Sequence, residues 1–544
     1  TVLHLEGFDV KYTGGHNYYD YRLQTDLDGT ARTTNFLVTQ TTPNVLPATA
    51  TNPLGLGTTN IPPQGIFVSP RQHNQYHEEV WWFSNELNFA STTDGPAQWL
   101  FGIYQYREGS NYQLTDARYP DDPRFETPFN PLTQTPVAPN PLRNYAIGAS
   151  ENVNESYAAY GQIDYKLTEA WKLTAGLRYT LDKKQSFESA RLFCFISPSP
   201  ACIGRNTGRV FDVTNLAIPA VPVASQDRSV VVPLFTDPTT GLRHRLLEQE
   251  WDAVTGTVGL DWKPDSDTLA YVKYTRGYKA GGFNAGTVTL QQRVTTKEEI
   301  IDAYEVGLKK TFGGTFQANA SAFYYKYSDI QVPLAGFNEV LQANTTEFFN
   351  LDEAIIKGFE LETTWQPIDG LQILANYSYL DAQVEKGCCF QDPDDPLAIQ
   401  PGAIRAPIQP SLTSINQDLK GATLPSSTPH RVTVNANYTW RFDPGRLTGS
   451  VTYVWRDDTY YSLFNRYYSR AKAFETVDAR VLFSDRDDRY TVIGYVKNIF
   501  DAEGLAGISG ARLNQPFPAT QGRINQTLNL IAPRTYGLEL QYRF

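Results

Sequence analysis

Tyr536-Gly537-Leu538-Glu539-Leu540-Gln541-Tyr542-Arg543-Phe544 is the stretch whose reading decides the fold. Its even positions carry Tyr, Leu, Leu, Tyr and Phe, and its odd positions carry Gly, Glu, Gln and Arg. A period of two places these sets on opposite faces of a β-strand. In a soluble sandwich the apolar face packs inward and the charges face water. In a wide membrane barrel the apolar face meets lipid and the charges line a wet lumen. Alternation alone does not choose between them.

The same period runs through the interior of the chain. In 431–440, Val432, Val434, Ala436, Tyr438 and Trp440 alternate with Thr433, Asn435, Asn437 and Thr439. Leu447, Gly449, Val451, Tyr453 and Trp455 repeat the pattern beyond Phe442-Asp443-Pro444-Gly445, where Pro presets φ and Gly accepts φ > 0, so a hairpin is predicted. Further hairpins are predicted for 157–165 with 171–180, 251–262 with 269–278, 303–312 with 316–327, 359–365 with 371–380 and 476–483 with 490–499. This gives roughly 17 strands, many of about ten residues or more, longer than the globular mode and suited to a tilted bilayer crossing. Short turns alternate with long connections rich in Pro, Asn, Thr and Gln at 29–72, 109–152, 186–247, 386–428 and 501–530. Such loops do not fit an ordinary compact domain, but short periplasmic turns opposite long extracellular loops fit an outer-membrane barrel.

Composition agrees. The 544 residues are 41% hydrophobic and 13% aromatic, too aromatic for disorder, and carry only 19% charged residues. Mean hydropathy is −0.40 and no apolar run of about 18 residues occurs, which excludes membrane-spanning helices and leaves a β-barrel open. The net charge of −11 and the lack of a Lys/Arg cluster argue against nucleic acid as a partner. Closure of a barrel satisfies every backbone group in lipid, and strands ending in Tyr, Trp or Phe supply interfacial girdles. The expectation is therefore an all-β protein, one large antiparallel transmembrane β-barrel over residues 1–544.

The chain resembles the barrel of TonB-dependent outer-membrane receptors. The resemblance rests on Tyr274-Thr275-Arg276-Gly277-Tyr278-Lys279-Ala280-Gly281-Gly282-Phe283-Asn284 and Ile301-Asp302-Ala303-Tyr304-Glu305-Val306-Gly307-Leu308-Lys309. It extends through Ala322-Phe323-Tyr324-Tyr325, Ile356-Lys357-Gly358-Phe359-Glu360-Leu361-Glu362, Val496-Lys497-Asn498-Ile499-Phe500-Asp501 and Ala532-Pro533-Arg534-Thr535-Tyr536-Gly537. It implies uptake of a scarce nutrient, such as a ferric siderophore, vitamin, oligosaccharide or other small organic ligand, driven by the proton-motive force. The implied location is the outer membrane of a Gram-negative bacterium. The implied partners are the TonB–ExbB–ExbD complex, outer-membrane lipid, the small-molecule ligand and, optionally, an accessory surface lipoprotein. Phe544 resembles the family's barrel-assembly signal. Family members fold about 22 strands around an N-terminal plug. No plug is recognisable here, so the plug and about five strands are expected to be missing from this chain. A passive channel or surface-interaction barrel is the alternative.

The residues allow a plainer reading beside the resemblance. Glu305, Lys309, Glu360 and Glu362 fall on polar strand faces, which a lumen or plain solvent would equally accept. Gly281-Gly282 and Gly358 mark bends or close backbone approaches. Candidate ligand-binding groups in the loops are Tyr104, Tyr106, Arg107, Arg118, Tyr119, Arg466, Tyr467 and Tyr468, able to stack on rings and pair with anions. Interfacial packing is the competing role for each.

No nucleophile elbow, phosphate loop or cofactor motif occurs, so enzyme activity finds no support. His73 and His77 lie four apart on a predicted strand, roughly 13 Å from each other, and no metal site is expected from them. Asp392, Asp394 and Asp395 lack calcium-loop spacing and read as a solvated acidic loop. Cys194 and Cys202 flank a short Pro/Ser segment that a disulfide could close. Adjacent Cys388 and Cys389 leave a vicinal bridge, a bond elsewhere and two thiols all open. The chain contains no Met and begins at Thr1 with no signal region, so a processed or incomplete chain is expected.

Overall fold

A computed structural model describes residues 1–26, 34–39, 62, 64–69, 71–195, 207–217, 234–284, 295–338, 343–388, 390–391, 416–511 and 525–544. Its dominant feature is a continuous antiparallel ladder of strands, each paired with the next along the chain. In order these are β1 (Val2–Leu5), β2 (Phe8–Asp26), β3 (His73–Ser91), β4 (Ala97–Arg118), β5 (Asn144–Lys166) and β6 (Trp171–Cys194). They continue as β7 (Arg243–Asp265), β8 (Thr268–Lys279), β9 (Glu299–Phe312), β10 (Phe316–Asn338), β11 (Ala343–Trp365) and β12 (Leu371–Lys386). The last are β13 (His430–Phe442), β14 (Gly445–Arg456), β15 (Phe474–Asp485), β16 (Tyr490–Lys497) and β17 (Thr535–Tyr542). Among the described residues no ladder joins β17 to β1 or β2.

The register carries the sequence pattern from strand to strand. Val432 faces Trp455, Val434 faces Tyr453 and Trp440 faces Leu447 across β13–β14, while Tyr536 and Leu540 face Val496 and Val492 across β16–β17. Toward the short-turn end one surface of the sheet is therefore apolar, and none of the described residues covers it: Leu177, Val306 and Leu540 are 64%, 55% and 72% exposed. A soluble sandwich would bury such a surface, whereas lipid is its natural solvent. The opposite surface is a polar ladder, with Asn435 Nδ2 donating to Thr452 Oγ1 at 2.7 Å and Thr439 meeting Thr448 at 3.0 Å. Rings gather where the apolar band meets the turns: Trp171 with Trp262, Phe312 with Phe316, and Tyr490 with Tyr542.

Short turns, such as Asp443–Pro444 and Gly313–Thr315, lie at one end of the wall, and the longer connections lie at the other. The strands run further toward the long-loop end than alternation foretold. β4 continues to Arg118, β5 resumes at Asn144, β6 reaches Cys194 and β7 begins at Arg243, so the expected loops 109–152 and 186–247 are in part paired strand. Above the membrane neither face meets lipid, and the two-faced pattern that marks a strand there disappears.

The large buried apolar side chains also gather at the long-loop end. Tyr119, Phe125, Phe193, Phe195, Val210 and Val68 form one cluster, and Ile330, Phe349, Leu351, Val384, Leu419 and Leu463 another. Beside the first, Arg191 pairs with Asp212 at 2.8 Å, and Arg245 pairs with Glu188 with both side chains almost fully buried. Cys194 is disulfide-bonded, as is Cys388; Cys202, Cys389 and the Asp392, Asp394 and Asp395 loop lie outside the described residues.

Candidate functional site

The parity of β3 and β4 builds a site on the polar face. Val80 and Trp82 alternate with Trp81 and Phe83, which stack on each other at 6.2 Å on the opposite surface. Tyr106 and Glu108 of β4 share the inner face with Trp82, since the register sets Trp82 opposite Glu108. With Tyr19 of β2, Asn152 and Asn154 of β5 and Lys184 of β6, these side chains line an open cavity of about 730 Å³. That volume falls within the range of small-molecule sites, roughly 300–1,000 Å³.

The far wall of the cavity is made by the segment after β8. Gly282 and Phe283 line it, held by Gly282 N–H donating to Thr296 Oγ1 at 2.9 Å and by Thr296 N–H donating to Gly282 O at 2.8 Å. Gly281 must be glycine here, because a Cβ at that position would collide with Trp251 and with the Thr296 carbonyl. Phe283 packs on Trp251 at 5.8 Å, and Lys184 Nζ donates to Gly281 O at 2.7 Å while lying over the Trp251 ring. The glycines of the Tyr278-to-Asn284 stretch thus let the backbone fold tightly against the wall.

The polar groups are mutually ordered. Tyr106 Oη donates to Glu108 Oε2 at 2.6 Å, Asn154 Nδ2 donates to Glu108 Oε1 at 3.0 Å, and Ser186 Oγ donates to Asn152 Oδ1 at 2.6 Å. Ordered donors and acceptors beside Trp82, Tyr19 and Phe283 can seat a ligand that has both a flat apolar face and a polar edge.

The residues nominated from sequence separate into groups. Tyr106 lines the cavity. Tyr104 stands beneath Arg178, whose guanidinium lies 5.6 Å from its ring. Arg107 is on the outer surface, 3.3 Å from Glu155 and over Trp81. These three and Arg118 belong to β4, a strand rather than a loop, and Arg118 pairs with Asp116. Tyr119 is buried, stacked on Phe125 at 4.9 Å and accepting from Gln72 Nε2 at 2.6 Å; burial pushes its phenol up to about 12. Tyr119 thus packs into the buried cluster at the long-loop end. Arg466, Tyr467 and Tyr468 do lie in a loop, with Tyr467 84% exposed and its ring edge-on to Tyr468. Glu78, Trp82, Asn152, Asn154 and Lys184 were not singled out from sequence. Their inward parity and cross-strand register were the only signals, and register is not written in one strand.

The family model described as TonB dependent receptor-like, beta-barrel matches residues 5–499. A curated relative, the probable TonB-dependent siderophore receptor PiuA of Acinetobacter baumannii, is 26% identical over 141 residues, 25% of this chain and 18% of the relative. Among solved structures, the ferric yersiniabactin uptake receptor FyuA of Yersinia pestis superposes with a TM-score of 0.57 at 15% identity, covering 87% of this chain and 58% of that one. The siderophore receptor PiuA from Acinetobacter baumannii does so with a TM-score of 0.56 at 15% identity, covering 99% of this chain and 62% of that one. The chain thus spans under two thirds of the length of each, and the structural likenesses bear on the fold.

Proposed function

Because this chain belongs to the TonB dependent receptor-like β-barrel family, we propose that it is the barrel of an outer-membrane receptor that takes up a ferric siderophore or a similarly scarce small ligand. Receptor barrels of this family sit in the Gram-negative outer membrane, and an uncovered apolar surface around a polar face suits that solvent. In this reading residues 1–544 supply the barrel domain, a plug domain elsewhere in the receptor couples to TonB, ExbB and ExbD, and the proton-motive force drives the step. Phe544 serves barrel assembly, and the exposed Tyr467 with the half-buried Arg466 beside it samples ligand at the surface.

The observation that carries the reading is the cavity of about 730 Å³ on the polar face, with Trp82, Tyr106 and Phe283 beside ordered Asn and Glu groups. PiuA and FyuA are named for siderophores, which supports iron chelates as the first ligand class to try. The test is uptake of labelled ferric siderophores by cells carrying the receptor, with and without an uncoupler. Uptake abolished by the uncoupler and reduced by Trp82→Ala supports coupled transport. Flux that survives the uncoupler would favour a passive channel instead.

A further inference from the structure

On the outer surface of the wall, opposite the cavity, three metal-ligand side chains converge. Asp20 of β2 and Glu79 of β3 are directly opposed in the ladder, and His77 is opposed to Arg22 one step along the same face. Their faces follow from parity: Asp20 shares the side of Tyr18, and His77 and Glu79 share that of Trp81, with Tyr18 opposite Trp81. His77 Nε2 lies 3.1 Å from Asp20 Oδ1 and 3.5 Å from Glu79 Oε1, and one ligand atom from each residue fits within 4.8 Å of the others.

Two carboxylates facing each other across a ladder repel, so this pair needs positive charge between them. Arg22 supplies part of it, its guanidinium gripping Asp20 at 2.9 Å. A tetrahedral zinc ion with bonds of about 2.0–2.1 Å holds adjacent donors about 3.3 Å apart, which is the spacing His77 already keeps from both carboxylates. One imidazole with two carboxylates is a borderline donor set that suits zinc better than calcium or magnesium, which call for six or more oxygens or retained waters. The side chains keep 22–33% of their surface exposed, so a fourth position stays open to water or an anionic oxygen.

We propose that Asp20, His77 and Glu79 form a zinc site that clips β2 to β3 on the outside of the barrel, one step along the ladder from the opposed Tyr18 and Trp81. It is separate from the ligand cavity, which lies on the other face, so it tethers strands and does not lie on the transport path. The test uses the whole receptor in detergent, stripped with EDTA and titrated with zinc chloride by calorimetry, alongside its thermal unfolding. The expected result is one zinc per chain, a higher Tm with zinc, and affinity lowered about tenfold or more in both His77→Ala and Glu79→Gln. His73→Ala, a histidine of the same strand outside the cluster, is expected to bind zinc as the parent does. Absence of zinc binding, or equal affinity in the parent, His77→Ala and Glu79→Gln, overturns the site.

Discussion

Val306 sits in the middle of β9, directly opposite Val272 and Ala322, with Tyr304 and Leu308 on the same uncovered surface. Phe312, at the turn end, lies six positions further along the strand. At about 3.3 Å per residue and a tilt of about 40°, that places Val306 about 15 Å along the membrane normal, half of a hydrocarbon core about 30 Å thick. A lysine at midplane costs about 2–4 kcal/mol, so Val306→Lys should lower the folding equilibrium constant about 30- to 700-fold. Ala303, three residues earlier and on the opposite face beside Glu305, offers the control: a lysine there reaches the lumen and should cost less than about 1 kcal/mol. Urea unfolding of the receptor in phospholipid vesicles, followed by tryptophan fluorescence, measures both. Equal penalties for the two variants would refute the assignment of the uncovered face to lipid, because parity is all that separates them.

Two further predictions concern the extracellular packing. Glu188→Ala leaves the buried Arg245 guanidinium without this carboxylate and should cost about 3–5 kcal/mol, read as faster proteolysis near 119–143 and 207–217, with much of the loss recovered when both residues become Met. Tyr119 keeps its proton up to about pH 12, whereas an unfolded tyrosine loses it near 10; its burial therefore stabilises the cluster fully below about pH 10, and that contribution fades as pH rises through about 12. Tyrosinate difference absorbance against Tyr119→Phe should show one phenol ionising late, and a normal titration would contradict its packing.

How much of this was legible follows from where lipid acts. Within the bilayer, solvent on one side and lipid on the other force alternation, so β13, β14 and the terminal strand could be read residue by residue, face included. Beyond the bilayer that constraint ends. Residues 144–152 are strand, yet their sequence Asn-Tyr-Ala-Ile-Gly-Ala-Ser-Glu-Asn carries no sided pattern that separates it from a loop. The cavity was hidden for a related reason. Tyr19, Trp82 and Asn154 are far apart in sequence and meet through register and curvature, while Tyr119 and Arg118, conspicuous in sequence, turn to packing and to Asp116. The histidine reading shows the same limit. His77 has no useful neighbour four residues away, and its partner Asp20 lies across the ladder.

Register itself has a visible anchor in pairs of glycine and aromatic ring. Gly102 is opposed to Tyr160, Gly307 to Tyr271 and Gly537 to Tyr495, and in each pair the ring lies over the glycine so closely that a Cβ would overlap it. The phenol then reaches on to a fixed acceptor: Tyr160 Oη donates to Asn88 Oδ1 at 2.6 Å and Tyr271 Oη donates to Glu305 Oε1 at 2.5 Å. A ring seated on a bare backbone fits one register only, because a shift by one residue sends every side chain to the other face. The pairing predicts a strong coupling. Gly307→Ala should cost about 1–3 kcal/mol by overpacking in the parent, and much less when Tyr271 is already Ala, giving a coupling of about 0.5–3 kcal/mol. Additive costs in the double-mutant cycle would mean that ring and glycine merely happen to be neighbours, and that the lipid-facing alternation alone holds β8 and β9 in step.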